Sequence, residues 1–421
     1  MSKPKIRFKG CQGEWESSTF IGTFQFLKNN SLSRACLSDN GDVKNVHYGD
    51  VLIRFGENLD VGKEALPYIS DGSYGRVLAK RCSLQDGDVI IADAAEDNTV
   101  GKATELMSVG NNTVVSGLHT IPCRPTFTFE SCYLGYYLNS NAYHNQLLPL
   151  IQGTKICSIS KHALEKTTVS YPPTLAEQRQ IASYFRSLDG ILSGCEARLS
   201  SLRRLKEGAL QAFFPQQGET QPKLRFKGCQ GEWESLEMAS VFETKNGYTP
   251  SKFVDAYWEN GSIPWFRMED IRANGGILSD SLQHITPLGV KGSGLFQPYS
   301  IILATTATIG VHAMIIADSL ANQQFTNFSI RKSLSNDFDP YFVYYAFFKI
   351  DKWCVANTNS GGLLSVDIKG LLKEPFYFPA LPEQRLIANF FRTLDRRIEL
   401  ERQRLEKLKQ LKAACLEKMF V

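Results

Sequence analysis

The 421-residue chain has no run of eighteen or more apolar residues, the length a bilayer-spanning helix needs. Its first residues are charged and lack the apolar centre of a signal peptide. Both absences lead to the expectation of a cytoplasmic protein. Ten cysteines are scattered and no two stand at C-x-x-C spacing. That leaves a zinc site or redox pair without support and reads as free thiols in a reducing compartment. No Gly-x-Gly-x-x-Gly follows a strand pattern, no Walker loop occurs, and the six histidines include no H-E-x-x-H. The stretch SYPPT, from Ser170, lacks the Asn or Asp and the following aromatic of an amino-methyltransferase site. Its prolines read as punctuation at a joint. DIKG, Asp367–Gly370, is too short to stand for a nuclease without further acids. With no acid–base or metal constellation left, neither catalytic residues nor a metal or cofactor is expected in this chain. The net charge of +4 permits a polyanionic partner without demanding one.

What is present is repetition. KPKIRFKGCQGEWES at residues 3–17 returns as QPKLRFKGCQGEWES at 221–235, with thirteen of fifteen positions identical. EQRQIASYFRSLD at 177–189 returns as EQRLIANFFRTLD at 383–395. The two halves share their beginnings and ends, have drifted apart between them, and differ by about twelve residues in length. Such a period is far above the 20–50 residues of stacked repeats. It describes a duplication with a constant frame and two different inserts, in a chain long enough for two or three domains.

The second shared element carries apolar residues at alternating steps of four and three. One copy gives Ile181, Phe185, Leu188, Leu192, Cys195, Leu199 and Leu202; the other gives Ile387, Phe391, Leu394, Ile398, Leu405 and Leu408. A 3.5-residue repeat held this long is a coiled-coil seam. Thr174 with Glu177 forms a potential capping box, Pro382 suits the start of the second helix, and Pro215 with Gly218 stops the first. Each helix spans about 39 residues, about 58 Å at 1.5 Å per residue. Glu401, Lys206 and Lys412 also fall on the seam, where they either fix register or snorkel to water. Because the first helix leaves one insert and delivers the chain to the next, pairing along the seams requires the helices to run antiparallel. The expected fold is α+β. Two globular mixed α/β heads (1–172 and 217–378) are separated by two long helices (173–216 and 379–421) in an antiparallel coiled coil, an internal duplication of pseudo-two-fold character. The repeated tag then becomes the joint between one helix's end and the next head, with Lys3–Ser17 near Val421.

Within the heads, Gly49–Gly56, Asp86–Asp93 and Tyr299–Thr306 are short β-branched runs bounded by turn residues and predict strands. Cys132–Ser140 and Tyr341–Lys349 predict buried amphipathic helices whose aromatics serve the core. IQGTKICSIS and NSGGLLSVDI form a Gly-containing landmark before each return to the frame. The remaining loops are rich in Ser, Thr, Asn, Gln, Lys and Arg, side chains that hydrogen-bond phosphates and base edges. They are also ordinary turn decoration. What favours a binding role is the set: two divergent inserts on one frame look like two different readers.

The combination of PKLRFKGCQGEWE, PALPEQRLIANFFRTLDRRIELERQRLEKLKQ and, in the second head, G-x-TPS…YWENGSIPWFRMEDI…ATIG…NQQF resembles the specificity subunit of type I restriction-modification systems over nearly the whole chain. The first head departs from the pattern, with DAAEDNTVG where the second has TTATIG. The resemblance implies that each head is a target-recognition domain reading half of a split, asymmetric double-stranded DNA site, with the helices as spacer. It implies two methyltransferase subunits docked on the frame and two restriction/translocase subunits. S-adenosylmethionine, ATP and Mg would be held by those partners. The chain itself would be a non-catalytic subunit in host defence. Candidate DNA contacts in the second head are Thr249, Ser251, Lys252, Arg267, Arg272, Thr305, Thr306, Thr308, Gln323 and Gln324. In the first they are Lys63, Ser73, Tyr74, Arg76, Thr99, Lys102, Thr154 and Lys155.

Two other classes stay open at this level. A coiled-coil scaffold with protein-binding heads fits the mild charge; its binding would respond little to salt, whereas phosphate neutralisation weakens steeply with it. A self-sufficient DNA-modifying enzyme is opposed by the missing methyltransferase and nuclease motifs.

Overall fold

The computed structural model describes residues 3–216, 218–292, 294–359 and 364–421. The chain forms two compact units: Met1–Ala197 with Gln403–Val421, and Arg198–Arg402. The Gly-containing landmark of the second half falls in part on residues 360–363, outside the described residues.

Despite their divergent sequences, the two heads share one sheet plan. In the first unit the strand order is Phe24–Phe26, Thr120–Pro125, Val89–Ala92, Ala103–Met107, Asn58–Asp60. In the second it is Phe242–Asn246, Phe325–Ile330, Ser300–Ala304, His312–Ile315, Ile277–Leu278. Each sheet is antiparallel until its last strand, which joins in parallel. Beside it, Val43–Val46 runs parallel to Thr113–Ser116, and Ile263–Phe266 runs parallel to Leu320–Ala321. The central strands Val89–Ala92 and Ser300–Ala304 are buried throughout, which explains why they read as continuous apolar runs rather than as alternation.

The expected strand over Gly49–Gly56 is instead a helix, Tyr48–Ile53. Val51 is buried while Ile53 is 85% exposed, so the β-branched run does not line a sheet face. His47 Nδ1 accepts the Gly49 amide at 3.3 Å and caps the turn. Tertiary packing and a local cap thus overrode β-propensity. The other expectations hold: Tyr133–Leu138 and Pro340–Ala356 are helices with largely buried aromatic faces. Asp367 of DIKG is a helix cap, accepting the Gly370 amide at 3.0 Å.

The long helices span Leu175–Phe213 and Leu381–Lys418. Only half of the expected capping box forms. Thr174 Oγ1 accepts the Glu177 amide at 3.4 Å, but the Glu177 carboxylate is taken elsewhere. Within the first unit, Tyr184 meets Cys415 and Glu196 meets Lys409. Within the second, Arg198 meets Glu401 and Lys206 meets Asp395. As one partner's number rises the other's falls, so the helices pair antiparallel in both units. The charged seam residues are paired, not snorkelling. Lys206 Nζ lies 2.7 Å from Asp395, which also accepts from Tyr345 Oη at 2.8 Å. Lys412 Nζ lies 2.7 Å from Asp189 and 2.8 Å from Glu57, and Tyr136 Oη donates to Asp189 at 2.6 Å.

The repeated motifs meet each other. Arg7 donates through Nε and one terminal nitrogen to both Glu177 oxygens, at 2.7 and 2.8 Å, and its guanidinium also reaches the carbonyls of Gln12 and Gly13. Arg225 clamps Glu383 in the same way, with its Nε at 2.9 Å, and reaches the carbonyls of Gln230 and Gly231. The Ile6 amide donates to Lys418 O and the Leu224 amide to Ala212 O, so each tag also closes onto the end of a long helix. It then leads into a strand, Glu16–Thr19 or Glu234–Glu237, paired with the last strand before the next long helix. The tag is therefore the joint that the repetition suggested.

Candidate nucleic-acid interface

In the second head, four loop segments converge at one end of the central sheet. Gly247 donates to Phe325 O at 2.8 Å and Tyr248 to Ala321 O at 2.9 Å. A Cβ on Gly247 would sit 2.1 Å from Asn322 O, so this close approach requires glycine. The next residue, Thr249, donates from Oγ1 to Gln323 Oε1 at 2.5 Å. Trp258 Nε1 donates to Ser251 O and Trp265 Nε1 to Tyr248 O, both at 3.0 Å, pinning the loop that carries Ser251 and Lys252. The Asn322 amide donates to Phe266 O at 3.0 Å, which brings the NQQF turn beside Arg267. Thr305 N donates to Gln324 O at 2.8 Å, adding the TTATIG turn.

Thr249, Ser251, Lys252, Arg267, Thr305, Gln323 and Gln324 are thus brought together by backbone bonds between their segments. Thr305 itself is buried, and its hydroxyl is directed back to Gln324 O, so it positions the turn. Thr306 is bridged to Ser365, and Thr308 is exposed within the turn. The Arg267 guanidinium stacks 5.7 Å from the Trp265 ring. Its backbone is fixed by Asp270, which accepts the Arg267 amide at 2.7 Å. Arg272 is exposed on the helix Met268–Asn274 that follows. Phe253, not anticipated from sequence, is 99% exposed beside Lys252.

The first-head candidates do not converge in this way. Lys63 pairs with Asp60 at 3.0 Å. Ser73, Tyr74 and Arg76 lie on the helix Gly72–Cys82, whose start Asp71 caps, and Arg76 pairs with Asp42 at 2.9 Å. Thr99 bonds Asp97 within its own turn. Lys102 is a structural tie: its ammonium donates to Leu52 O at 2.9 Å, and burial lowers its pKa. Thr154 and Lys155 lie exposed in the loop that closes between Gln152 and Ser158.

The hydrogen-bond pattern identifies which first-head residues occupy the second head's converging positions. Gly310 N donates to Ala304 O, and Gly101 N to Ala92 O. Val366 N donates to Thr305 O, and Ile159 N to Asp93 O. Thr305 N donates to Gln324 O, and Asp93 N to His119 O. Asn322 N donates to Phe266 O, and Gly117 N to Val46 O. Asp93 therefore stands in the place of Thr305, His119 in that of Gln324, and His47 in that of Arg267. His119 Nδ1 lies 3.2 Å from Asp93 Oδ1, and its ring meets Tyr48 edge-on at 5.2 Å. Burial pushes the Asp93 carboxyl up and His119 pulls it down. The stretch DAAEDNTVG marked this place in the sequence, but three additional residues against TTATIG obscured which of its members mattered.

Comparison with known proteins agrees with this organisation. The family described as type I restriction modification DNA specificity domain matches twice, at residues 13–201 and 230–410. The chain is 46% identical over 161 residues to the EcoprrI type I restriction enzyme specificity subunit of Escherichia coli; the match covers 38% of this chain and 40% of that protein. The S subunit of a type I system from M. genitalium superposes with a TM-score of 0.57 at 13% identity, covering 100% of this chain and 99% of the other. A second solved chain, from a study of complex assembly and conformational transition of the type I system, gives 0.61 at 15% identity, covering 97% and 98%.

Proposed function

Since the chain belongs to the type I restriction-modification DNA specificity family, we propose that it is the sequence-reading subunit of a type I complex. Each head reads one half of a split, asymmetric site in double-stranded DNA, from the major groove. The paired helices hold the half-sites in register and carry the docking surface for two methyltransferase subunits, with two restriction/translocase subunits completing the assembly. S-adenosylmethionine, ATP and Mg belong to those partners, and this chain contributes recognition.

One observation carries the reading. Two heads that share the plan of the five-stranded sheet carry different residues at equivalent loop positions, with Thr305, Gln324 and Arg267 in one and Asp93, His119 and His47 in the other. A scaffold has no need to keep the plan and vary those loops; a bipartite reader does. The test is an exchange of the second head, 236–378, for that of a relative with a different site, followed by mapping of methylated sites in the assembled complex. One half-site should change and the other persist. Change in both, or in neither, refutes the assignment.

A further inference from the structure

We propose that Asp93 and His119 are the base-reading pair of the first head, with the carboxylate accepting a hydrogen bond from the exocyclic amino group of a base, cytosine N4. The inference rests on the reading of the heads as DNA-recognition modules and specifies how one of them reads. The two residues occupy, by backbone hydrogen bonding, the places of Thr305 and Gln324 in the second head. Their side chains are reachable, with 27% of Asp93 and 51% of His119 exposed. One carboxylate oxygen is held by the imidazole, which fixes its rotamer and leaves the other oxygen as an oriented acceptor.

Chemistry narrows the target. A carboxylate has no donor and is repelled by phosphate, so near a duplex it is favourable only against a base edge that offers an N–H. Among major-groove edges that is an amino group, and the established preference of carboxylates is cytosine N4. The surroundings suit such an acceptor: the His119 ring packs edge-on against Tyr48, and Lys161 offsets the negative charge. His119 has φ near +53°, a conformation that Asn also adopts readily, so His119→Asn removes the ring without straining the turn.

The test uses the full chain in its methyltransferase complex with a randomised library of DNA sites. Asp93→Ala should relax one base pair of a single half-site by about tenfold to a hundredfold. Asp93→Asn, nearly isosteric, should move that position from cytosine towards adenine, and His119→Asn should weaken preference at the same position. Gln324→Ala should alter only the other half-site. Unchanged preference in both Asp93 variants, uniform weakening at all sequences, or relaxation in the half-site that Gln324 affects overturns the proposal. If the wild-type complex itself shows no sequence preference, the underlying reading of the heads fails instead.

Discussion

At the scale of single residues, the duplicated arginines show what the tag is for. Glu177 and Glu383 are almost wholly buried at the starts of the long helices, and Arg7 and Arg225 supply bidentate charge-assisted bonds to them. Arg225→Ala leaves a buried carboxylate unpaired and should cost about 1–3 kcal/mol, seen as a lower thermal midpoint, while Arg225→Lys recovers only part because it cannot form the fork. A second buried acid behaves differently. Glu105 accepts amides of Cys132 and Gly135, yet desolvation pushes its carboxyl up from 4.5 to about 7. Between those values the folded chain holds a proton that the unfolded chain has released, so stability falls as pH rises through this window. The stability of wild type relative to Glu105→Gln should therefore decrease from pH 5 to pH 8; a constant difference in melting temperature would contradict the shift. In the second head, Arg267→Ala should lower DNA affinity by about 1–3 kcal/mol and relax one position of the site if it reads a base, or weaken all sequences equally if it holds a phosphate.

At the scale of elements, lysines on an apolar seam would weaken a coiled coil if they stood alone. Here each is met by an Asp of the facing helix, and each Asp is also held by a tyrosine of the adjoining head. The result is a polar pin that ties head, helix and helix together at one register. The two pins are not equivalent. Lys412 serves both Asp189 and Glu57, whereas Lys206 serves Asp395 and lies 5.0 Å from the Phe348 ring. Lys412→Ala should therefore be the more damaging change, about 1–3 kcal/mol, because it takes the cation from two carboxylates instead of one. Equal losses in parallel melts would show that the second carboxylate adds nothing.

At the scale of the whole molecule, the duplication makes recognition modular. The frame motifs bind each other in each unit, and among the described residues the partners of the Arg7 and Arg225 clamps all lie in those motifs. On the proposed function, substitutions in the converging loops should retune one head while leaving both clamps in place. The modest net charge of +4 means that affinity depends on locally placed cations. Binding to a DNA duplex should nonetheless fall linearly on a log–log plot against salt, and each phosphate-contacting lysine or arginine removed should reduce the slope by about one. A flat salt response would return the scaffold alternative.

Periodicity and repetition carried much of this organisation. The 3.5-residue spacing of Ile181 to Leu202 and Ile387 to Leu408 reflects helix geometry directly, and the two-fold occurrence of tag and helix start required the joint to exist twice. The apolar runs at Val89 and Ser300 marked central strands because burial on both faces leaves no alternative composition. Long-range pairing carried the rest. Local sequence did not foretell that a helix, Tyr48–Ile53, would replace a strand over Gly49–Gly56, since the choice lay with a histidine cap and the surface it packs against. Nor did it reveal that two dissimilar inserts form sheets of the same strand order, because backbone hydrogen bonds are indifferent to most side chains. The loops that converge in the second head were legible as a recognisable sequence pattern. The equivalence of Asp93 and His119 to Thr305 and Gln324 was not, because it is set by a backbone hydrogen bond from Asp93 N to His119 O across 26 residues of chain, a relation that spacing along a sequence does not encode.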